Sequence, residues 1–555
     1  MRSAQRNSII TSKRDARDKA LSLAGPYSVN DYDIYTKSTA SEIVQRIAKG
    51  EWTSSQVLEA YIARAAVAQA ETNFLFEDAR KQAKELDAEF ASTRQVRGPL
   101  HGVPASFKDQ YEIQGHDATI GFTAWANKPS TKDAFLVAQF KAAGAIVIAK
   151  TNVPQTMFAF ECSNPLWGRT TNPWNNQYTC GGSSGGEAAL LAMDGSTIGV
   201  GSDVGGSLRI PASYCGIYSL KPSADRVSSI VVKSAAGYFL TISRSVQDCE
   251  LFCRTIFGQQ DPSYTIVPLP YRPVELSAKL RFGYYLSDDM TQTSPVCQRA
   301  VLETVSALRK QGHECLEFTS HLNTTAMEVF IGLVTSDGYK KMLSYLDSDP
   351  PESSLFLTTL GPRLPSFIRN LVSWIANTFM GDALMSRFFS LSREKSVLEF
   401  TDLTDERNKV SAAWYEEVWD KYSFDGIIAP VQALPVIPHG GSVYLSPLAA
   451  ATIMYNVVDS PVGIIPVTRV DPDTDQLPAD FEPGASGRSK VFDSRMYLGK
   501  KPVYDPKAME GMPVGVQIVG KKWEDEKVLA MMHVVDEALG PRGFGPGSWK
   551  PRTTN

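Results

Sequence analysis

The feature that most constrains the fold is a stretch between residues 160 and 222 that concentrates glycine, serine, asparagine and proline. Helix-compatible apolar runs at residues 188–192 and 217–220 interrupt it, whereas a flexible Gly/Ser linker does not normally lie between apolar segments. Glycine lets the backbone approach neighbouring groups more closely than a side chain would allow. The stretch therefore predicts a place inside the folded protein where the backbone must come close to another group.

The size and composition of the chain favour a globular protein with a sizeable core. Its 555 residues exceed an ordinary domain, although large α/β proteins can exceed that length around a single sheet. The hydrophobic fraction of 43% and the charged fraction of 21% are close to globular averages. The formal net charge of −4 gives no overall basic character, so nucleic acid is not expected as a partner.

Cysteine usage and hydropathy predict an intracellular protein. The seven cysteines of this long chain are expected to be reduced thiols rather than a disulfide framework. Cys249 and Cys253 are four residues apart, but no second pair at ligand spacing accompanies them, so no metal site is predicted. Residues 1–20 contain no apolar run of signal-peptide length, and no run of about 18 or more uncharged apolar residues occurs. The expected location is cytoplasmic, or peripheral on a membrane, without a transmembrane helix or secretory signal.

The first part of the chain has a helical pattern. Thr39-x-x-Glu42 and Thr53-x-x-Gln56 both have the spacing of a capping box, in which two side chains satisfy backbone N–H groups at a helix start. After the second box, apolar residues recur at helical spacing. This part of the chain is therefore predicted to be helical.

From about residue 98 the pattern changes to alternating strands and helices. A short run at 101–107 is bounded by Gly and Pro, 134–143 is periodic as in a helix, and 145–149 is a compact β-prone run. Three later runs are also typical of buried strands: residues 424–429, 462–467 and 513–519. Strand–helix–strand order of this kind is typical of an α/β sheet with crossover helices.

Three short segments contain candidate reactive side chains. Residues 102–109 place Lys108 at the end of an apolar, strand-like run, while residues 180–187 and 201–211 are rich in glycine and serine. Taken singly, a lone lysine is usually solvated and a Gly/Ser run is usually a loop. These two Gly/Ser runs, however, lie beside apolar segments, which favours a structured role for them.

Together the three segments resemble the amidase-signature hydrolases. The run Gly-Gly-Ser-Ser-Gly-Gly at 181–186 and the run Gly-Gly-Ser-x-Arg at 205–209 place Ser183 and Ser207 24 residues apart (207 − 183 = 24). The combination is highly specific for that family. It implies a triad of Lys108 as base, Ser183 as proton relay and Ser207 as nucleophile, with no cofactor and no metal.

The resemblance covers most of the chain from about residue 95 onward and implies the amidase-signature fold. That fold is expected as α/β, with a mixed, mostly parallel twisted sheet covered by helices on both faces. Residues 1–95 are expected to form a helical arm packing on a catalytic domain of residues 96–545. A homodimer is expected from the family alone.

The residue types of the implied triad suit amide hydrolysis. A serine hydroxyl is a weak nucleophile and needs an adjacent base. A lysine can be that base only when neutral, so its reference pKa of ~10.4 must be lowered by burial or by neighbouring charge. A neutral Lys108 would take a proton from Ser183, which takes one from Ser207. Return of the proton through Ser183 would then protonate the departing amine.

The glycine-rich loop of the third segment is expected to bind the oxyanion of the tetrahedral intermediate. Donors preset for such an oxyanion are worth about 3–4 kcal/mol each. Asp203 and Arg209 flank the loop and are predicted to form an ion pair that fixes its shape, with ordinary exposed charges as the alternative. Successive backbone N–H groups can point at one site, and the resemblance assigns this task to Val204, Gly205, Gly206 and Ser207.

The same residues leave a second kind of serine hydrolase open. Gly181-Gly-Ser183-Ser-Gly185 satisfies the G-x-S-x-G pattern of the α/β-hydrolase nucleophile elbow. That motif needs a strand directly before the serine and a histidine base later in the chain. Residues 176–180 make a poor strand, but four histidines follow the serine: His313, His321, His439 and His533.

Within the family, the nearer resemblance is to the fatty acid amide hydrolases, with the fungal acetamidases next. It rests on three stretches: residues 151–158, 162–170 and 452–461. It implies that Met157, Phe158 and Gly182 contact the substrate. The alternative is that these are plain core residues. The animal fatty acid amide hydrolases have an N-terminal membrane helix, and this sequence shows no such apolar run.

An apolar segment at residues 355–392 resembles the membrane-docking cap of those enzymes. Such a helix can lie in the membrane interface without spanning the bilayer, and a core helix or a dimer contact is the alternative. Three arginines could lie among lipid headgroups: Arg363, Arg369 and Arg387. Five apolar residues fall on one helix face: Phe367, Ile368, Leu371, Trp374 and Ile375. The apolar character continues through Phe379, Leu384, Met385, Phe388 and Phe389.

The leading functional hypothesis is hydrolysis of long-chain acyl amides to the free acid and an amine or ammonia, with a lipid-like amide as the small-molecule partner. A short-chain amidase of the acetamidase type and a carbamate-cleaving hydrolase are alternatives with the same triad. An amidotransferase subunit, which would need a partner protein, belongs to another class. A non-catalytic lipid-binding module is a further alternative, which the intact Lys108, Ser183 and Ser207 argue against.

Overall fold

Short runs of residues, most of them fully buried, form one large sheet. The computed structural model describes residues 2–68, 72–229 and 238–550, and in these ranges eleven strands make the large sheet and two make a separate small one. In chain order the strands are β1 (Asn73–Phe74), β2 (Pro104–Lys108), β3 (Ile146–Thr151), β4 (Ser163–Asn164), β5 (Gly168–Arg169), β6 (Ile198–Asp203), β7 (Tyr218–Lys221), β8 (Tyr238–Ser243), β9 (Arg281–Tyr284), β10 (Glu314–Glu317), β11 (Gly426–Pro430), β12 (Val462–Arg469) and β13 (Pro513–Val519).

The strand order of the large sheet is β1-β3-β2-β6-β8-β7-β12-β13-β11-β9-β10. The predicted α/β class and mixed sheet are confirmed. The sheet is less parallel than expected, because only four of its ten described pairings are parallel, and these lie in two blocks, β3-β2-β6 and β11-β9-β10. Strands β7, β8, β12 and β13 join the blocks through antiparallel pairings, which alternation along the chain does not reveal.

Helices cover both faces of the sheet. Successive side chains of a strand point to opposite faces. In β3, Val147 joins the cluster that contains Phe140 of the preceding helix, whereas Ile146 and Ile148 join a second cluster with helices near the N-terminus. Both faces are therefore apolar, which explains why the strands read as continuous hydrophobic runs.

The described ranges also contain twenty α-helices. There are 3₁₀ turns at Thr123–Trp125, Gln155–Met157, Ser353–Leu355, Ser446–Ala449 and Ala485–Gly487 and a π-helical turn at Tyr415–Asp420. The α-helices are α1 (Arg2–Ser22), α2 (Val29–Thr36), α3 (Ala40–Ala48), α4 (Ser54–Ala68), α5 (Phe76–Thr93), α6 (Phe135–Ala142), α7 (Gly185–Ala192), α8 (Arg209–Cys215), α9 (Val246–Ile256), α10 (Pro295–Lys310), α11 (Leu322–Val334), α12 (Lys340–Ser344), α13 (Phe356–Arg363), α14 (Ser366–Thr378), α15 (Ala383–Leu391), α16 (Val397–Trp414), α17 (Ser442–Leu445), α18 (Ala450–Val457), α19 (Lys490–Tyr497) and α20 (Asp525–Leu539).

The N-terminal segment is built into the body of the protein. Its strand β1 pairs with β3 and so forms one edge of the sheet. The fully buried Arg244 donates to the Ser38 carbonyl oxygen at 2.7 Å, to Tyr61 Oη at 2.8 Å and to Asp194 Oδ1 at 2.9 Å. One guanidinium thus joins α4, the turn after α2 and the turn after α7.

The two parallel blocks decide where reactive side chains meet. Strands β2 and β6 are parallel neighbours, so their carboxyl ends lie at the same edge of the sheet. Lys108 is the last residue of β2, and the glycine-rich loop that contains Ser207 follows directly after β6. The edge at the ends of these strands therefore gathers two of the three predicted site residues.

The apolar segment at residues 355–392 forms α13, α14 and α15, and α14 packs on α15. Phe367 and Trp374 of α14 are 71% and 53% exposed, whereas Phe388 of α15 is buried. The two helices therefore divide the apolar side chains between solvent and interior. None of the helices within the described ranges is both long and apolar enough to cross a bilayer.

Candidate active site

Lys108 is fully buried, and its hydrogen-bond partners in the described chain are neutral. Its Nζ donates to Ser183 Oγ at 2.7 Å, to Ser202 Oγ at 2.9 Å and to the Ser202 carbonyl oxygen at 3.5 Å. Ser202 Oγ in turn donates to Gln110 Oε1 at 2.7 Å, so the serine oxygen is left to accept from the lysine. The amine is thereby held against Ser183.

Burial lowers the pKa of Lys108 from its ordinary 10.5 to about 7, although Asp203, Cys162 and Glu187 act in the opposite direction. Desolvation penalises the charged ammonium, and the neutral groups around Nζ offer it no direct counter-charge. A lysine with a pKa near neutrality is largely the free amine at slightly alkaline pH. Lys108 therefore has the environment of a base.

Ser183 lies in the loop that leads into α7, and the Gly182–Ser183 peptide bond is cis. The hydroxyl of Ser183 faces Lys108, and the residue also lines the main cavity. The next residue in the chain, Ser184, donates its backbone N–H to the Ser207 carbonyl oxygen at 3.0 Å. This bond ties the two glycine-rich loops together, so all three predicted triad residues lie in one region.

The loop between β6 and α8 presents backbone N–H groups around Ser207. Asp203 organises it, since the carboxylate accepts from the Gly206 amide at 2.7 Å and from the Leu208 amide at 3.0 Å. The Gly206 amide, which the sequence groups with the oxyanion donors, is thus engaged by Asp203 in this structure. In the described part of the chain, three amides of the loop donate to no protein acceptor: those of Val204, Gly205 and Ser207.

Asp203 and Arg209 form a fully buried, bidentate ion pair across this loop. Arg209 donates from Nη2 to Asp203 Oδ1 at 2.9 Å and from Nε to Oδ2 at 3.0 Å. Burial alone would raise the pKa of Asp203, but the adjacent guanidinium outweighs it and holds that pKa well below its ordinary range. The carboxylate therefore stays charged at working pH and keeps the loop in shape.

Three residues that the sequence did not single out complete this support. Arg209 also donates to the Thr452 carbonyl oxygen at 2.8 Å, to Gln517 Oε1 at 3.1 Å and to Asn456 Oδ1 at 2.5 Å. Thr452 Oγ1 donates to the Gly205 carbonyl oxygen at 2.7 Å. These partners lie more than 240 residues from Arg209 along the chain, so no spacing signal connects them. For Thr452 and Asn456, the one signal in the sequence is that they lie in the stretch 452–461, which belongs to the family resemblance.

A cavity of about 700 Å³ reaches both serines. Its polar wall includes Ser183, Ser202 and Ser207, whereas much of the remainder is apolar and comes from α11, α15 and nearby segments. Cavities of this size hold small-molecule ligands. The apolar lining includes Met327, Phe330, Ile331, Val334, Leu357, Met385, Phe388, Phe389, Ile453 and Phe492.

The three residues expected to contact substrate all line this cavity: Met157, Phe158 and Gly182. Met157 and the preceding Thr156 have positive φ angles of 60° and 71°, which non-glycine residues adopt uncommonly. Phe158 packs edge-on against Tyr339, with ring centroids 5.5 Å apart. A Cβ at Gly182 would stand 2.8 Å from a carbonyl oxygen of the neighbouring loop, so this close approach requires glycine.

The nucleophile-elbow alternative is wrong. Residues 176–180 form only isolated bridges and no strand leads into Ser183. No histidine is among the residues that line the cavity in the described chain. His439 Nε2 lies 2.9 Å from a backbone carbonyl oxygen, and His533 pairs with Glu250. Lysine, not histidine, is the base-type side chain beside these serines.

Comparison with known proteins agrees with this geometry. The sequence model of the family described as Amidase matches residues 56–529. The chain belongs to the amidase-signature family. An acetamidase of Aspergillus oryzae is 32% identical over 530 residues, which cover 91% of this chain and 90% of the relative. Fatty-acid amide hydrolase 1 of Sus scrofa is 31% identical over 521 residues, which cover 90% and 85% respectively.

Solved structures show the same fold. This amidase-signature chain superimposes on a fatty acid amide hydrolase with a TM-score of 0.79 and 25% identity, covering 97% of this chain and 90% of that one. A 6-aminohexanoate cyclic dimer hydrolase matches with a TM-score of 0.70 and 21% identity, covering 93% of this chain and 100% of that one. At this level of identity the match shows a shared fold. The protein is therefore an amide hydrolase, and its identity to acetamidases and to fatty acid amide hydrolases is almost equal.

Substitution of Gly206 by alanine is expected to lower kcat/KM for amides by about 100-fold or more, because small displacements of a reactive loop have effects of that size. Its φ is 125°, and a Cβ there would collide with Thr452 Oγ1 and Ile210 Cδ1, so the loop must shift.

The matched control is Gly115→Ala. Gly115 also has a positive φ, of 85°, but is exposed with nothing within 4 Å of an added Cβ. Steady-state kinetics of both purified variants separate local backbone strain from displacement of the loop. Equal activity in Gly206→Ala and Gly115→Ala would contradict the importance of the loop position.

Proposed function

We propose that the protein hydrolyses carboxylic amides, with long-chain acyl amides as preferred substrates, through Ser207 as nucleophile, Ser183 as proton relay and Lys108 as base. The observation that carries this proposal is the 2.7 Å contact between Lys108 Nζ and Ser183 Oγ, buried beside a largely apolar cavity that both serines line. In the proposed route, the neutral lysine takes a proton from the Ser183 hydroxyl, which takes one from the Ser207 hydroxyl.

In the proposed first half-reaction, the neutral amine of Lys108 accepts the Ser183 proton while Ser183 accepts the Ser207 proton. Ser207 Oγ then forms a bond to the amide carbon, and the carbonyl oxygen becomes an oxyanion. We assign the donors to that oxygen to the amides of Val204, Gly205 and Ser207, which donate to no protein acceptor in the described part of the chain. Donors fixed before the reaction stabilise the developing charge without reorganisation.

The relay then runs in reverse to release the amine. Lys108 returns a proton through Ser183 to the amide nitrogen, the C–N bond breaks, and an acyl-enzyme on Ser207 remains. Protonation matters because an amine anion is a very poor leaving group. Water then attacks the acyl carbon by the same route and releases the free acid.

The triad predicts a pH dependence. With the Lys108 pKa at about 7, the active neutral form accumulates as pH rises, so kcat/KM is expected to rise and reach half of its plateau at about pH 7. Ser207→Ala is expected to abolish turnover. Lys108→Ala is expected to lower kcat/KM by about 10³-fold or more and to remove its rise with pH below the plateau, which is the acid limb of the profile.

The measurement is the pH profile of kcat/KM on a soluble amide, with melting temperatures as the folding control. An active Ser207→Ala protein would refute the nucleophile. A half-plateau pH of about 10 in the wild type, near the ordinary lysine value, would refute Lys108 as a buried neutral base.

The preference for long acyl chains rests on the apolar cavity. Its lining includes α11 and α15 residues such as Ile331, Met385 and Phe388, and its volume exceeds what an acetyl group fills. Burying each CH₂ of a chain contributes about 0.8 kcal/mol. A cavity lined in this way therefore favours a long acyl group over a short one. The similarity to fatty-acid amide hydrolase 1 of Sus scrofa supports this preference.

A short-chain amidase is the second candidate, because the acetamidase of Aspergillus oryzae is as similar as the fatty-acid amide hydrolase. In a primary-amide series from acetamide to oleamide, kcat/KM is expected to rise steeply with chain length. Ile331→Trp, which fills the cavity, should lower kcat/KM for oleamide by about tenfold or more while sparing acetamide.

Leu302→Trp on the exposed face of α10 is the matched control for the added bulk, since Leu302 is 44% exposed. A flat or falling profile along the amide series would leave the short-chain amidase as the function. Loss of acetamide and oleamide hydrolysis in equal measure in Ile331→Trp would show that the substitution disturbs the triad rather than an acyl site.

We also propose that α14 docks on a lipid surface, from which long-chain amides reach the cavity. The helix exposes Phe367, Leu371 and Trp374, and the following Phe379 is 72% exposed. Its partner α15 contributes Met385 and Phe389 to the cavity wall. An exposed apolar face of this kind can insert at the headgroup boundary without spanning the bilayer.

The double variant Phe367→Glu with Trp374→Glu is expected to lose cosedimentation with phosphatidylcholine vesicles while it retains hydrolysis of a soluble amide. Tyr264→Glu, an exposed aromatic outside the cap segment, is the control. Unchanged vesicle binding in the double variant would contradict docking through α14. A change from dimer to monomer on size-exclusion chromatography, without a change in vesicle binding, would assign this face to self-association.

A further inference from the structure

Glu187 is a buried carboxylate that the proposed reaction does not use. It lies on α7, which begins two residues after Ser183, and its side chain is fully buried. Ser106 Oγ donates to its Oε2 at 2.5 Å, and Thr151 Oγ1 donates to its Oε1 at 2.7 Å. In the described part of the chain its hydrogen-bond partners are thus two hydroxyl groups and no cation.

The carboxylate lies over three adjacent strands beside Lys108. Ser106 is two residues before Lys108 in β2, so both side chains point to the same face. Thr151 of β3 is the register partner of Lys108. Gly199 of β6 is the register partner of Ser106, and a Cβ at Gly199 would collide with the Glu187 carboxylate. The sheet therefore leaves a space at this point that a carboxylate fills.

Stability alone does not account for a charge-bearing group here. Moving a carboxylate out of water costs several kcal/mol, and apolar replacements of similar volume are often neutral or stabilising. Burial raises the pKa of Glu187 to about 8, although the two hydroxyl groups and the nearby Lys108 and Lys150 act in the opposite direction. The position is therefore costly unless the carboxylate does something for its neighbours.

We propose that Glu187 is a positioning residue for the base. Its two hydrogen bonds hold α7, and with it Ser183, against β2 so that the Ser183 hydroxyl stays within reach of Lys108. This inference rests on the proposed function of Lys108 and Ser183.

The role of Glu187 is therefore one of position rather than of charge. Burial raises its pKa to about 8, so the carboxyl is largely uncharged near pH 7, where Lys108 titrates.

The test compares Glu187→Gln with Glu187→Leu. A glutamine side chain can keep both bridging contacts, because its carbonyl oxygen accepts from one hydroxyl and its amide donates to the other. The Gln variant is expected to keep its plateau within about threefold of the wild type and its pH profile in place, because the carboxyl that it replaces is largely uncharged near pH 7. The Leu variant is expected to lose about 100-fold of its plateau rate, as a misplaced reactive group does.

Two readouts are measured against pH: kcat/KM on a soluble primary amide, and the rate at which a fluorophosphonate labels the nucleophilic serine. Asp248→Asn is the matched control, because Asp248 is also a fully buried carboxylate whose pKa burial raises, to about 6, but it faces Arg244 and the start of α3. Its acid limb is expected to coincide with that of the wild type. Melting temperatures show which variants are folded.

A plateau in a folded Glu187→Gln protein as low as that of Glu187→Leu would overturn the two bridging contacts as the cause of the effect. A wild-type plateau in a folded Glu187→Leu protein would overturn the positioning role. Wild-type protein that neither hydrolyses amides nor reacts at Ser207 would instead contradict the proposed function itself. The two failures are therefore distinguishable.

Discussion

The rest of the site depends on one physical constraint, the burial of a lysine without a direct counter-charge. Lys108 meets hydroxyl and carbonyl groups at Nζ, and desolvation brings its pKa to about 7. A lysine in water would stay protonated at neutral pH and could not accept a proton. The parallel strands β3, β2 and β6 supply this environment, because their packed faces exclude water around the end of β2. Loss of that packing would restore the charge on Lys108, which could then no longer serve as the proposed base.

A second buried group, the Asp203–Arg209 ion pair, solves the opposite problem. Here both charges are kept, and the bidentate geometry with further donors and acceptors from α18 and β13 compensates for their desolvation. The pair fixes the shape of the loop after β6, which contains Ser207, because Asp203 also accepts from the Gly206 and Leu208 amides. Burial without a direct counter-charge thus favours the neutral form of Lys108. The hydrogen bonds from Arg209 keep the Asp203 carboxylate charged. Glu187 stands between these cases, with hydroxyl donors and no direct cation among its described partners.

The cavity links this chemistry to the periphery of the fold. Its walls come from α11, α15 and α18, and α15 is covered in turn by α14 with its exposed aromatic side chains. An apolar cavity and an exposed apolar helix packed on its wall suit a substrate that is itself mostly apolar. Family membership alone does not decide this point, since acetamidase and fatty-acid amide hydrolase relatives are equally similar. The proposed preference for long acyl chains therefore rests on the side chains that line the cavity.

Local sequence determined the α/β class and the helical start of the chain. It also marked apolar runs that coincide with the strands β3, β12 and β13 within a few residues. These features could be predicted because apolar periodicity is a short-range property of the sequence. Short motifs also singled out Lys108, Ser183 and Ser207 as candidates, and the structure brings them into one region. Local sequence did not determine the many antiparallel pairings, since strand direction depends on which distant strands meet. Nor did it reveal Ser202, Thr452, Asn456, Gln517 or Glu187 as neighbours of the site. Their contacts join residues up to 308 positions apart, and only the packed tertiary structure brings such groups within hydrogen-bond distance and removes the water that would otherwise screen them.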